Sequence, residues 1–553
     1  MVKWLAWLSL AWLSAISAFG VPGGGYVGSK ACFGCHADIY RSYMKTSMGR
    51  SMSLANDLSS FGISSGEATI PLPSGERRIR VYHDGDGWHQ SESDPGVFTD
   101  DHVLEYAIGS GVNGVTFAVQ RGDYLFQAPL SYYSRTRQWD LSPGYQSGDY
   151  AFNRPIHEAC LACHSGRSNP IPNTEGGYRN PPLSELAIGC ENCHGPGERH
   201  VQEQGKRAGS IVNPAKLPAR LAENICMNCH QAGDARILQP GRTYRDFRPG
   251  EWLNDTIAIF RLPLKLGQTD QKDLLEHNAA MQLSRCFRAS QGKLSCLTCH
   301  DPHVQPSASE GVAYYRAKCL TCHTNRDCKL SLRVRTESTP ANDCIACHMP
   351  KRDVTIIAHS ALTNHRIPAR PDEPLPHEAF NQTTPELPNL VHLNRPAGQS
   401  DAMLPKITLL RAYGELMDRD PALGERYRTL LDALAKTDAK NLYVQASLGR
   451  LALNESRDAE ALPHLTTAAA LNSPDVFQDM ATAFDRLGKI PDAANALEKA
   501  VKLSPYNPIL RKKLTLEYIK AHRYTEARGS MEEYVKLFPE DSFMRKLLAK
   551  VAQ

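Results

Sequence analysis

The chain has 553 residues and a formal net charge of +4, with no concentrated basic arm. That length suggests about three or four domains, and that charge gives no reason to expect a nucleic-acid partner. Nothing resembling a Ser-His-Asp, Walker or dinucleotide-binding motif occurs.

The N-terminus reads Met1-Val2-Lys3, then an apolar run from Trp4 to Phe19 that closes on Ala18-Phe19-Gly20. A short positive start, an apolar stretch and a small-x-small site predict a secretory signal peptide over 1–20. The run is shorter than the ~20 residues of a spanning helix, although an uncleaved anchor is the alternative. No later stretch is long and apolar enough to cross a bilayer. The mature chain is expected to cross the inner membrane and work in a periplasmic or extracellular space, without a transmembrane span.

Residues 21–149 form the next unit. A helix is predicted from Ala31 to about Met52. From about Gly66 to Tyr145 there is no Cys, and the pattern turns to β. Arg78 to Tyr82 alternates, and Thr116–Gln120 with Tyr124–Gln127 read as hairpin arms around Arg121-Gly122-Asp123. Asp84-Gly85-Asp86-Gly87 lacks the further oxygen ligands and distal Glu of a calcium loop, so a hairpin turn is expected there.

Residues 150–395 are rich in Pro and Gly and weak in periodicity. They hold six of seven copies of Cys-x-x-Cys-His. The seven are Cys32-Cys35-His36, Cys160-Cys163-His164, Cys190-Cys193-His194, Cys226-Cys229-His230, Cys296-Cys299-His300, Cys319-Cys322-His323 and Cys344-Cys347-His348. This spacing is an attachment signal for c-type haem: the two thiols form thioethers, and the next residue brings an imidazole under the iron. A zinc half-site or redox dithiol would not explain a His after every second Cys. Seven covalent haem c groups are therefore expected, and their propionates would make the loaded protein net acidic. Cys286 and Cys328 are left over; in an oxidising space they form a disulfide or stay as separate buried thiols.

The sixth position on each iron separates a carrier from an enzyme. Candidate distal ligands are His303, in Cys-His-Asp-Pro-His, with His200, His157, His277, His359 and His365. His83, His89, His102, His377 and His392 are not expected to ligate, nor are His464 and His522 farther on.

From about Asp401 to the end, 401–553, Cys is absent and helical patterns repeat. Pro505 and Pro539 are 34 residues apart; Ala493 and Ala500 precede the first as Ala527 and Tyr534 precede the second. Phe484 and Tyr518 match as well. This period resembles the tetratricopeptide repeat, with Asn472-Ser473-Pro474 ending an earlier unit and Met403 to about Leu434 a degenerate one. Such a solenoid implies a protein or peptide partner. An unrelated helical bundle is the alternative.

Gly28 to Met48, Cys190 to Gly197 with His200, Cys296 to His303, and Cys344 to Pro350 with His359 and His365 resemble the multihaem cytochrome c superfamily. That group includes tetrahaem nitrification carriers, the octahaem tetrathionate reductase and hydroxylamine oxidoreductase group, and pentahaem nitrite reductases. The resemblance implies distal ligation by His200, His303, His359 and His365, and closely packed haems. Many relatives carry a His where this chain has Met44, Met48 and Met52, so Met48 is a further distal candidate. All seven motifs end in His, so the Lys-ligated route to nitrite reduction is unsupported.

The expected fold is mainly α. It comprises a multihaem cytochrome c fold with little regular structure and a small N-terminal β insertion, followed by an α-solenoid. The expected function is a heptahaem cytochrome passing electrons between redox partner proteins, with the repeats docking one of them. The alternatives are a multihaem oxidoreductase acting on a small inorganic nitrogen or sulfur compound at an open haem, and a scaffold or sensor.

Overall fold

The computed structural model describes residues 25–551 apart from 57, 59–60, 73–74, 146–150, 268–275, 354–358 and 371–372. The predicted signal peptide lies outside the described residues.

The first motif does not sit on the long helix expected from Ala31 to Met52. A 3-10 turn over Ser29–Cys32 is followed by a helix over Ala37–Tyr43 only. Thr46 competes with the helix that would follow. Its hydroxyl donates to Tyr43 O at 2.7 Å and accepts from Gly49 N at 3.1 Å, local bonds that replace the helical ladder. Gly49 is needed at this turn, because a Cβ there would lie 2.4 Å from Tyr43 O. By Met52–Leu54 the chain is a strand, paired antiparallel with Tyr106–Ile108.

The β-rich part is larger than an insertion. Four strands, Gly66–Leu72, Gly75–Asp84, Gly87–Asp94 and Phe98–Val103, form an antiparallel meander. A seven-stranded sheet stands beside it, built on Gly114–Arg121, Tyr124–Gln127 and Leu130–Tyr133. Asp84 pairs with Gly87 across the turn that the Asp-Gly-Asp-Gly run makes, and Arg121 pairs with Tyr124 across the other hairpin. Inward residues Val115, Phe117, Val119 and Phe126 are buried, as alternation requires. Gln90 stitches the two sheets: its side-chain NH donates to Leu130 O at 2.8 Å and its oxygen accepts from Leu130 N at 3.0 Å. With 43% helix and 17% strand, the protein is mixed rather than mainly α.

The Cys-rich part winds through short helices. In Glu158–His164, Cys190–His194, Ala219–His230 and Cys344–His348 the motif His is the last helical residue. A three-stranded sheet of Ala235–Leu238, Ile257–Arg261 and Val391–His392 gives this region its packed centre.

Helix pairs follow from Lys406 onward: Lys406–Leu416 with Pro421–Thr437, Leu442–Asn454 with Asp458–Ala468, Pro474–Arg486 with Ile490–Leu503, and Pro508–Lys520 with Tyr524–Leu537. The helix Ser542–Val551 comes last. Ala493, Ala500 and Ala527 are buried where the helices cross, since small side chains let backbones approach. The array is fastened to the β-rich part through loops. Tyr506 packs edge-on against Tyr124 and Phe126, and Ser504 Oγ donates to Glu175 at 2.6 Å.

Candidate functional site

Outside the motifs, the predicted ligands fall into two groups. His200, His303, His277 and His365 each meet a motif imidazole. His36 and His200 have ring centres 6.2 Å apart and planes 15° from parallel. His194 and His303 are 6.0 Å apart at 18°, and His300 and His365 are 6.2 Å apart at 32°. His277 lies 5.6 Å from His230 and 4.5 Å from His365, edge-on to both.

Several of these rings are pinned through Nδ1. His194 Nδ1 donates to Val212 O at 2.8 Å and His365 Nδ1 to Thr363 O at 2.9 Å. His348 Nδ1 donates to Pro368 O at 2.9 Å. A carbonyl only accepts, so each Nδ1 carries the hydrogen, which leaves Nε2 as the nitrogen that can serve as a ligand. His200 Nδ1 is bonded to Ser210 Oγ at 3.1 Å. Burial pushes the pKa of His194, His230, His300 and His365 down and that of His277 down to about 3, so these rings are neutral.

The second group stands apart. His359 Nε2 bonds to Asp140 at 2.7 Å, and its ring packs against Tyr133. That contact turns it to the β-rich part, with no motif imidazole opposite among the described residues. His157 caps the helix Glu158–His164 and is held neutral by burial. It lines the same cavity as Met48.

This cavity has a volume of about 2700 Å³, well above the ~300–1,000 Å³ of a pocket for one small ligand. Its wall includes residues of the second and fourth to seventh motifs, Cys193 of the third, His277 and His365; His36, His194, His200 and His303 are not on it. Thiols of different motifs meet: Cys32 with Cys190, Cys163 with Cys229, Cys226 with Cys296, Cys319 with Cys344. The Cys32 thiol hydrogen bond lowers Cys190 to about 6, and that from Cys229 lowers Cys163 to about 7. Cys286 and Cys328 are separate, half-buried thiols, the second of the two alternatives; burial raises the pKa of Cys286.

The spacing of the parallel rings has a chemical meaning. Two metal–nitrogen bonds of about 2.0–2.1 Å, plus about 1.1 Å from each nitrogen to its ring centre, sum to roughly 6.3 Å. The pairs His36–His200 and His194–His303 therefore match the separation of imidazoles that bind one metal ion from opposite sides. Two imidazoles are only two donors. Among the described residues no group of three or more His, Cys, Asp or Glu is arranged to hold a metal ion.

Sequence reasoning missed the residues that hold these pieces in place. Glu191, an unspecified position of the third motif, is buried. Its carboxylate accepts from Gly28 N at 2.7 Å, Val27 N at 3.1 Å and Gly197 N at 2.7 Å, tying the first motif to the third. Glu276 accepts from Gln231 Nε2 at 2.9 Å and from Ala232 N and Gly233 N, bringing His277 beside His230. A lone Glu inside or just before a short helix carries no sequence signal for such a role.

No family model matches the chain, and no curated protein does. Solved structures that are similar include MamA from Desulfovibrio magneticus RS-1 (17% identity, TM-score 0.22), over 25% of this chain and 78% of that one. MamA AMB-1 is similar at 19% identity and TM-score 0.22, over 26% of this chain and 84% of that one. The APC/C hetero-tetramer Cut9-Hcn1 is similar at 18% identity and TM-score 0.23, over 27% and 30%. These TM-scores carry no argument about the whole chain; the tetratricopeptide-like assignment rests on the helix pairs described above.

The expectation of seven covalent haem c groups, with a heptahaem electron-carrier function or an oxidoreductase alternative, is corrected by these findings. No family model or curated protein matches to carry a haem or oxidoreductase assignment to this chain, and no protein-only metal cluster is found among the described residues. The class supported is a protein with a tetratricopeptide-like solenoid. No described helix is long and apolar enough to cross a membrane.

Proposed function

We propose that this chain is a docking protein whose repeat array binds a protein partner and presents it to the Cys- and His-rich body beneath. The observation that carries this reading is the fastening of the array through the loops at Ser504–Tyr506 and Leu537, which leaves exposed faces on its helices. Cross-linking of the full chain in its own host tests it. Partner cross-links should concentrate on residues 406–551; partner cross-links confined to the body would overturn it. The apolar run Trp4–Phe19 and the small-x-small site after it support export to a periplasmic or extracellular space. An intact mass that retains residues 1–20 in the cytoplasm would reject that placement.

A second reading is favoured by the paired imidazoles. In it, His36 with His200 and His194 with His303 are metal ligands, and the motif thiols anchor the organic group that completes the coordination. The likeness to multihaem cytochrome c modules rests on these same residues. Support comes from the ring separations and the Nδ1 bonds that leave Nε2 as the nitrogen to ligate. Metal content and intact mass of the chain matured in its own host test it. A metal-free protein of unmodified polypeptide mass would remove this reading and leave the docking role standing.

A further inference from the structure

Two first helices of the repeat, Pro508–Lys520 and Ser542–Val551, begin 34 residues apart. The period makes Ile509 equivalent to Phe543, Lys512 to Lys546 and Leu516 to Lys550, and the two helices share one core cluster and the Lys512–Asp541 ion pair. On the first helix, Ile509, Lys513, Leu516 and Lys520 recur at helical spacing and form one stripe. On the second, Phe543, Lys546 and Lys550 do the same. Leu510, Leu514, Tyr518 and Met544 occupy the opposite faces and fill the repeat core.

The stripe is both apolar and basic. Ile509 is 61% exposed, Leu516 50% and Phe543 68%. Isolated exposed apolar residues are ordinary, but these lie on adjacent helices. The lysines between them are only partly neutralised. Lys512 pairs with Asp541 and Lys520 with Asp485 and Glu517. Lys513, Lys546 and Lys550 are exposed, and no ion pair within 4 Å involves them among the described residues, although the charge of Lys513 acts on Asp479 of the preceding helix. The helix Ser542–Val551 contains no acidic residue, and the only one on Pro508–Lys520, Glu517, is buried. The preceding first helix, Pro474–Arg486, instead carries Asp475, Asp479 and Asp485, so the lysines are concentrated on the two helices that follow it.

We infer that this face docks an extended acidic segment of a protein partner bearing large apolar side chains. Its carboxylates meet Lys513, Lys546 and Lys550, and its apolar groups cover Ile509, Leu516 and Phe543. Charge complementarity selects the partner and its register, while burial of the apolar groups supplies affinity. The inference rests on the reading that the repeats bind a protein, and it names the chemistry of that protein.

Fluorescence anisotropy with the full chain tests it. The probe is a peptide of about twelve residues alternating Glu with Leu and Phe, and its twin has Lys for every Glu. The acidic probe should bind and the twin should not. Lys513→Glu with Lys546→Glu should weaken binding at least about tenfold, as should raising the salt from about 0.05 to about 0.5 M. Ile509→Ser with Phe543→Ser should weaken it as much at either salt, while Lys440→Glu, remote from the stripe, should leave it unchanged. Thermal unfolding confirms that each variant is folded. Equal binding of the twins, insensitivity to the lysine reversals, no binding, or preference of this face for anionic vesicles would overturn the proposal. Partner cross-links elsewhere on 406–551 would then leave the docking reading intact; their absence from the repeats would remove both.

Discussion

The ring centres of His36 and His200 lie 6.2 Å apart with planes 15° from parallel, although 164 residues separate them in the chain. His200 owes its orientation to Ser210, whose hydroxyl bonds Nδ1 at 3.1 Å. A metal held between the two rings is lost in His200→Ala. Ser210→Ala keeps the ring but frees its orientation, and metal affinity should fall by about 10–100-fold. Metal content and visible absorption of each variant read this out. Unchanged spectra in His200→Ala would show that the pair holds nothing.

Glu191 is the acceptor for three backbone NH groups from two segments. Glu191→Ala leaves those donors without a partner and should destabilise the body by about 2–4 kcal/mol. Glu191→Gln keeps one acceptor oxygen and should cost less. Urea unfolding measures both; a loss under about 0.5 kcal/mol would mean that water replaces the carboxylate.

Arg121 joins the β-rich part to the repeats. Its guanidinium lies 4.7 Å from the Tyr506 ring centre and donates to Leu537 O at 2.8 Å. Burial pushes its pKa down from the ordinary guanidinium value, yet it stays charged at neutral pH. Arg121→Ala should cost about 1–3 kcal/mol at this junction. Limited proteolysis should then cut between the parts well before either unfolds.

Gly449 allows the close crossing of Leu442–Asn454 and Asp458–Ala468. A Cβ there would lie 2.6 Å from Leu465 Cγ. Gly449→Val overfills the crossing and should lower stability by about 1–3 kcal/mol, seen as a drop in the unfolding midpoint of the helical signal. A neutral result would show that these helices can slide apart.

Asp401 anchors the start of the repeats to the body. Burial raises its pKa. The bonds from His392 at 2.8 Å and Thr384 at 2.8 Å, with the charge of Arg395, outweigh burial and hold the carboxyl below its ordinary value. A carboxyl lowered in the folded state contributes stability above about pH 4, and that contribution is lost as pH falls through the lower folded value. Asp401→Asn should therefore cost about 1–3 kcal/mol at pH 7 and flatten the acid limb of stability against pH below about 4. An unchanged acid limb would place the sensitivity elsewhere.

The sequence by itself determined the local features. Alternation over 78–82 and across 116–127 marked the hairpins, because side-chain direction in a strand depends only on parity along the chain. The 34-residue period marked the helix pairs, because each repeat packs mainly on its neighbours. The helix over 31–52 was misjudged, since the Thr46 hydroxyl and the tight turn at Gly49 are side-chain geometry that periodicity does not record. Tertiary structure alone decided that His200 meets His36 while His359 turns to Asp140, and that Glu191 binds Gly28 across 163 residues. Such partners are chosen by chain closure and by the satisfaction of buried polar groups, and neither leaves a mark in the spacing of the residues themselves.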